Sequence, residues 1–261
     1  MKLSVNGVET FVATGGRPFD KSLPAVVLLH GAGFDHSTWA LHSRWFAHHG
    51  HSVLAPDLPG HGRSSGRPLH TIADMADWTS ALLDAAGATT ARLVGHSMGS
   101  LIAIETSARH PDKVSALSLI GTAATMTVGP DLLKAAEAND TAAIDMVSIW
   151  GLGFKAELGG SLAPGLWMHQ GAQRVLERTA PGVLYSDLNA CNAYQNALAA
   201  AAQVKVPTTV ILGERDMMTP AKAGKTLAAA IPNARTVVLP GAGHMMMVEQ
   251  PDQLLAALKD L

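Results

Sequence analysis

The chain has 261 residues, 48% of them hydrophobic, enough to bury a sizeable core as one large α/β domain or as a domain with an insertion. Its 19 basic and 21 acidic residues give a formal net charge of -2, so no strong field draws it to nucleic acid or to an anionic membrane surface. A single cysteine, Cys191, excludes an internal disulfide and a thiolate metal cluster, and packing is its expected role.

The first residues, Met1 to Gly7, turn polar before a signal-peptide core could form, and no run is apolar enough to span a bilayer, so a cytoplasmic protein is expected. Lys2 to Val5 and Val8 to Ala13 flank Asn6-Gly7, a strong hairpin signal, and predict two antiparallel strands. Ala25 to Leu29 is a continuous apolar run, the mark of a strand covered on both faces. It ends in His30-Gly31-Ala32-Gly33. A helical pattern with Trp39, Leu41, Trp45 and Phe46 follows and stops at Gly50. Ser52 to Ala55 is the next strand. Thr71-Ile72-Ala73-Asp74 then opens a helix in the manner of a capping box, with Gly87 as its stop. The strand from Ala91 to Val94, a helix ending at His110-Pro111 and the strand Val114 to Ile120 complete the first half.

This alternation implies a parallel sheet with ligands at the carboxyl ends of its strands. From about residue 123 to 204 the rhythm breaks into helical pieces over Asp131–Ala138, Thr141–Trp150, Gln170–Thr179 and Tyr185–Ala202. No linker composition marks either end, so the stretch reads as an insertion over the sheet. The rhythm resumes with the strand Thr208–Leu212, a helix over Pro220–Ile231, the strand Thr236–Leu239 and a closing amphipathic helix over Pro251–Leu261.

The chemistry gathers at the strand ends. Gly95-His96-Ser97-Met98-Gly99 stands between the strand ending at Val94 and a helix beginning near Leu101, a G-x-S-x-G turn that lifts a serine hydroxyl above the sheet edge. Acyl transfer by serine also needs a base, an acid to orient that base, and donors for the oxyanion. After the later strands come Gly213-Glu214-Arg215-Asp216 and Gly241-Ala242-Gly243-His244, giving the chain order Ser, Asp, His. Glu214 and Asp57 are rival carboxylates.

These motifs, with His30-Gly31-Ala32 and Asp57-Leu58-Pro59-Gly60-His61-Gly62-Arg63-Ser64, resemble the α/β-hydrolase family over almost the whole chain outside the insertion. The resemblance implies a mostly parallel sheet of about eight strands with helices on both faces. It implies a core of residues 1–122 and 205–261 and a helical cap of residues 123–204. It makes Ser97 the nucleophile, His244 the base and Asp216 the orienting acid, with the amides of Ala32 and Met98 as oxyanion donors and Gly33 as a substitute if the loop is shifted by one. His96 is expected to brace a loop or to touch substrate. A serine nucleophile argues against dehalogenase and epoxide hydrolase chemistry. It leaves esters, lactones, thioesters, other acyl or C–C bonds, perhydrolysis, or a receptor that keeps the triad.

No metal or nucleotide cofactor is expected. The histidines at 42, 48, 49 and 51 lack ligand spacing, and His36 stands where a dinucleotide fingerprint needs its third glycine. Trp150, Phe154, Trp167 and Met168 stand on or beside glycine- and proline-broken turns and are the expected lining of an apolar pocket. The expected partner is therefore a small, neutral ester or lactone; a homodimer is left open by the sequence.

Overall fold

A computed structural model describes residues 1–160 and 167–259. Strands β1 (Lys2–Val5), β2 (Val8–Ala13), β3 (Ala25–Leu29), β4 (Ser52–Pro56), β5 (Ala91–His96), β6 (Val114–Ile120), β7 (Thr208–Gly213) and β8 (Arg235–Leu239) form an eight-stranded sheet ordered β1-β2-β4-β3-β5-β6-β7-β8. β1 pairs with β2, and β2 with β4, antiparallel; every later pairing is parallel. The continuous apolar run Ala25–Leu29 behaves as expected: β3 is buried along its whole length, and so are β4, β5 and β7.

Three helices lie in the first half, α1 (Ala40–Ala47), α2 (Ile72–Ala86) and α3 (Met98–Arg109). The residues read as the insertion form α4 (Pro130–Glu137), α5 (Thr141–Trp150), α6 (Phe154–Glu157), α7 (Met168–Glu177), α8 (Val183–Ala193) and α9 (Ala197–Gln203), and the chain ends with α10 (Ala221–Ala230), α11 (Met246–Glu249) and α12 (Pro251–Lys259). Successive strand residues point to opposite faces. Val27, Leu29 and Leu93 pack with α2, α3 and α10, while Val26, Leu28 and Val94 pack with α1 and α12. The cap signals of α2 hold: Thr71 accepts from the Asp74 amide, and Gly87 closes the helix in the left-handed region.

The helix expected over Tyr185–Ala202 is two helices. The break is anchored from below by Glu105 of α3, buried, whose Oε2 accepts from Tyr194 Oη at 2.6 Å and Asn196 Nδ2 at 3.1 Å. A continuous helix would carry both groups past that carboxylate. α9 then packs against α3 and α10, with Ala197, Ala200 and Ala201 in the same buried cluster.

From β3 the chain crosses to β4 on one side, and from β5 to β6 on the other. The loops after β3 and β5 therefore diverge from neighbouring strands, the position at which an open α/β sheet leaves a crevice. Ala32 and Ser97 lie on these two loops.

Candidate active site

Ser97 follows β5 and precedes α3 with φ 53° and ψ -119°. Such a conformation costs a residue with a Cβ about 1–3 kcal/mol and persists only where its surroundings over-determine it. They do so here. The Ser97 amide donates to the Ile120 carbonyl at 2.9 Å, and the Ser97 carbonyl accepts from the Ser100 amide and hydroxyl. A Cβ added to Gly95 would lie 2.0 Å from the Gly99 carbonyl oxygen, and one added to Gly99 would lie 2.3 Å from that of Leu29. Strand and helix touch, which is why both positions are glycine. Among the described residues the amides of Ala32 and Met98 have no protein acceptor. That of Met98 also opens α3, where the helix dipole favours negative charge.

Asp216, on the loop after β7, and His244, on the loop after β8, are buried together. Asp216 Oδ2 accepts from His244 Nδ1 at 2.8 Å and from Thr219 Oγ1 at 2.7 Å; Oδ1 accepts from the amides of Met218 and Thr219. Burial alone would raise the Asp216 carboxyl, but His244 and the bonds from Thr219 outweigh it and hold the group below the usual carboxylate range. The proton on the imidazole therefore stands on Nδ1, leaving Nε2 with a free lone pair. The rival carboxylates serve elsewhere. Glu214 accepts from the Gly241 amide at 2.8 Å, and buried Asp57 braces its turn by accepting from the amides of His36 and Arg63.

Ser97 and His244 open onto the same cavity of about 220 Å3. Its wall includes Ala32 from the loop after β3, His96 at the end of β5, Met126, Leu132, Val147 and Trp150 from residues 123–204, and Met217, Met218 and Met245. Among the described lining residues there is no Asp, Glu, Lys or Arg. His96 works mainly as a brace: its Nε2 donates to the His244 carbonyl at 2.9 Å, and burial lowers its pKa to about 3, so the ring is neutral.

Three expected lining residues are not brought to this cavity. Phe154 is 72% exposed and Trp167 is 56% exposed, and neither lines it. Met168 is buried in the packing of α7 rather than at the cavity wall. The Gly33 amide is occupied, donating to Asp187 Oδ2 at 2.8 Å, so it is no substitute oxyanion donor. Leu166, in the other glycine-proline turn, lies outside the described residues.

Trp150 reaches the cavity wall as expected, and the Trp150–Phe154 turn has a second task. The Gly151 carbonyl accepts from the amides of His244 and Met245, and Glu249 gathers the amides of Gly153, Gly243 and Met245 at 2.9–3.0 Å. Its glycines let two backbones meet, docking α5 on the His244 loop. Sequence reasoning missed Glu249, Thr219 and the Met217-Met218 pair. For the last two the signal was at hand: they directly follow Asp216 at a strand end. His42 Nε2 faces the Pro251 carbonyl, and His49 Nδ1 faces the Trp45 carbonyl while its ring stacks on Trp45.

An elbow serine, a buried carboxylate–imidazole pair and two free amides gather at the switch point of a mostly parallel sheet. The chain belongs to the alpha/beta hydrolase family, whose model matches residues 26–258. A pimeloyl-[acyl-carrier protein] methyl ester esterase from Chromobacterium violaceum is 31% identical over 251 residues, covering 91% of this chain and 93% of that protein. One from Neisseria meningitidis serogroup A is 30% identical over 261 residues, covering 92% and 78%. Among solved structures, the enol-lactonase from Burkholderia xenovorans LB400 matches with a TM-score of 0.86 at 25% identity, covering 100% of this chain and 98% of that one. No helix among the described residues is long and apolar enough to cross a membrane.

Proposed function

We propose that the protein is a serine hydrolase that cleaves a carboxylic ester or lactone of a small, neutral, largely apolar substrate. The observation that carries this reading is the Asp216–His244 pair at 2.8 Å, opening onto the cavity that also holds the strained Ser97. His244 Nε2 takes the Ser97 proton as Oγ attacks the carbonyl carbon. The carbonyl oxygen becomes an oxyanion received by the amides of Ala32 and Met98. Collapse breaks the ester bond, His244 returns the proton to the leaving alcohol, and water, activated in the same way, releases the acid from the acyl-enzyme.

Substrate class follows from the wall. A cavity of about 220 Å3 without a charged lining residue suits a short to medium acyl group held by burial, at about 0.8 kcal/mol per methylene. It offers nothing to clamp a phosphate or a second carboxylate. The esterase and enol-lactonase relatives support ester and lactone substrates over C–C bonds. Residues 123–204 serve as a cap over Ser97, with α9 packed on the core helices α3 and α10.

The test is a panel of esters, lactones and thioesters of rising acyl length, run beside the Ser97→Ala protein. Turnover of neutral short esters or lactones that is lost in the variant is expected. A preference for anionic acyl groups, or turnover surviving in Ser97→Ala, would overturn the reading.

A further inference from the structure

We propose that Asp187, on α8, is a positioning residue: paired with a protonated His61, it clamps the loop bearing Ala32 between the cap and the core. The inference rests on the hydrolase reading above. Three separate stretches of chain meet at one buried oxygen. Asp187 Oδ2 accepts from the Gly33 amide at 2.8 Å and from His61 Nε2 at 2.8 Å. The first partner follows β3, the second follows β4, and neither side chain of the ion pair is more than 1% exposed.

The charge on His61 follows from its partners. Its Nδ1 faces the Pro59 carbonyl at 3.1 Å, and its Nε2 faces a carboxylate. Both partners only accept, so both ring nitrogens carry hydrogen and the ring is an imidazolium. His30, with its ring 4.9 Å away, is the opposite case. Its Nε2 accepts from the Leu58 amide and its Nδ1 donates to the Gly31 carbonyl, so it is neutral. The remaining titratable groups facing the pair are Asp57 and, one turn along α8, Cys191. Burial disfavours the charged ring of His61, but Asp187 outweighs it and raises the pKa above the ordinary value, whereas burial lowers His30 to about 4.

The clamp acts on the backbone beside the oxyanion donor. Gly33 is held at both ends by the cap: its amide by Asp187, its carbonyl by Thr179 Oγ1 at 2.7 Å. A Cβ at Gly33 would lie 2.8 Å from Leu184 and 2.9 Å from Leu176, so the cap also packs directly on this peptide. Ala32 is its chain neighbour. Asp187 is not among the residues lining the cavity; it acts through the position of the Ala32 amide. That amide matters most when the oxyanion forms, so loss of the clamp should appear in kcat rather than in KM.

Two measurements test this. The first is 15N NMR of the intact protein labelled at histidine, at pH 7.5, where an ordinary histidine is about nine-tenths neutral. The His61 ring, assigned by its disappearance in His61→Gln, should show two protonated nitrogens. A neutral tautomer would overturn the proposal. This arm reads the ion pair even if the protein turns over no ester at all, which would sink the hydrolase reading alone. The second compares wild type, Asp187→Asn and the milder Thr179→Val on one ester. The expected result is a fall in kcat of at least about tenfold for Asp187→Asn and a smaller fall for Thr179→Val, with KM nearly unchanged. Wild-type kcat in either folded variant, or a loss confined to KM, would overturn it. Thr179→Val keeps the arm decisive if Asp187→Asn does not fold.

Discussion

Replacing Asp216 by asparagine changes one oxygen to an NH2 group and nothing in shape, yet the site leaves no good orientation for it. Oδ2 receives His244 Nδ1 and Thr219 Oγ1, and Oδ1 receives the amides of Met218 and Thr219. Turned one way, the new amide points hydrogens at two backbone donors; turned the other, at the imidazole and the hydroxyl. The backbone donors cannot rotate, so the NH2 group goes to His244 and Nδ1 becomes the acceptor. The ring proton then moves to Nε2, the nitrogen that must take the proton of Ser97. The wrong tautomer of a serine triad costs about 10⁴ in kcat, equivalent to about 5 kcal/mol of transition-state stabilisation. Steady-state hydrolysis of a chromogenic ester, with circular dichroism to verify folding, reads the effect. A variant that keeps more than a tenth of wild-type kcat would refute the reasoning, as would Glu214→Gln proving the crippling change.

Gly121→Ala should lower kcat by about a hundredfold with the fold intact, because its Cβ would lie 3.0 Å from His244 Nδ1 and Cε1 and displace the ring; unchanged kcat in a folded variant would contradict this. Trp150→Ala should move the acyl-length optimum to longer chains and Trp167→Ala should leave it unmoved, since only the first side chain is at the cavity wall; the reverse pattern in the ester panel would refute the assignment. Burial lowers His30 and His42 to about 4 and His96 to about 3, so below pH 6.5 the unfolded chain binds up to three protons that the folded one refuses. The stability that these three contribute is therefore complete above pH 6.5 and falls as pH drops toward 4. The ion pair of His61, whose pKa is raised, is fully present in that range and is lost only as pH rises through its folded value. Urea midpoints that stay flat from pH 7 to pH 5 would refute the assignment of neutral buried histidines.

What the sequence carried well was whatever one local rule decides. A continuous apolar run marked β3, Asn6-Gly7 marked the hairpin, and Gly95 and Gly99 marked the close contact around Ser97, because each feature is settled within a few residues. The split between α8 and α9 was illegible, since the cause is a glutamate on α3 some ninety residues away. The same holds for the pocket wall. Whether Trp150 or Trp167 reaches the cavity depends on how α5 docks through Glu249 and Gly151 on the His244 loop, which no local periodicity encodes. Asp187 reads in sequence as an ordinary polar residue of a helix; its meaning appears only when His61 and Gly33 are brought to it.

The central claim is that Ser97 is the residue that bonds to the acyl group. Its most direct test is reaction of the intact protein with a serine-directed fluorophosphonate, followed by peptide mapping by mass spectrometry. The account predicts one phosphonyl group per chain, on Ser97, with loss of turnover in step with labelling and no labelling of Ser97→Ala. A label on any other residue, or full turnover in the labelled protein, would contradict it.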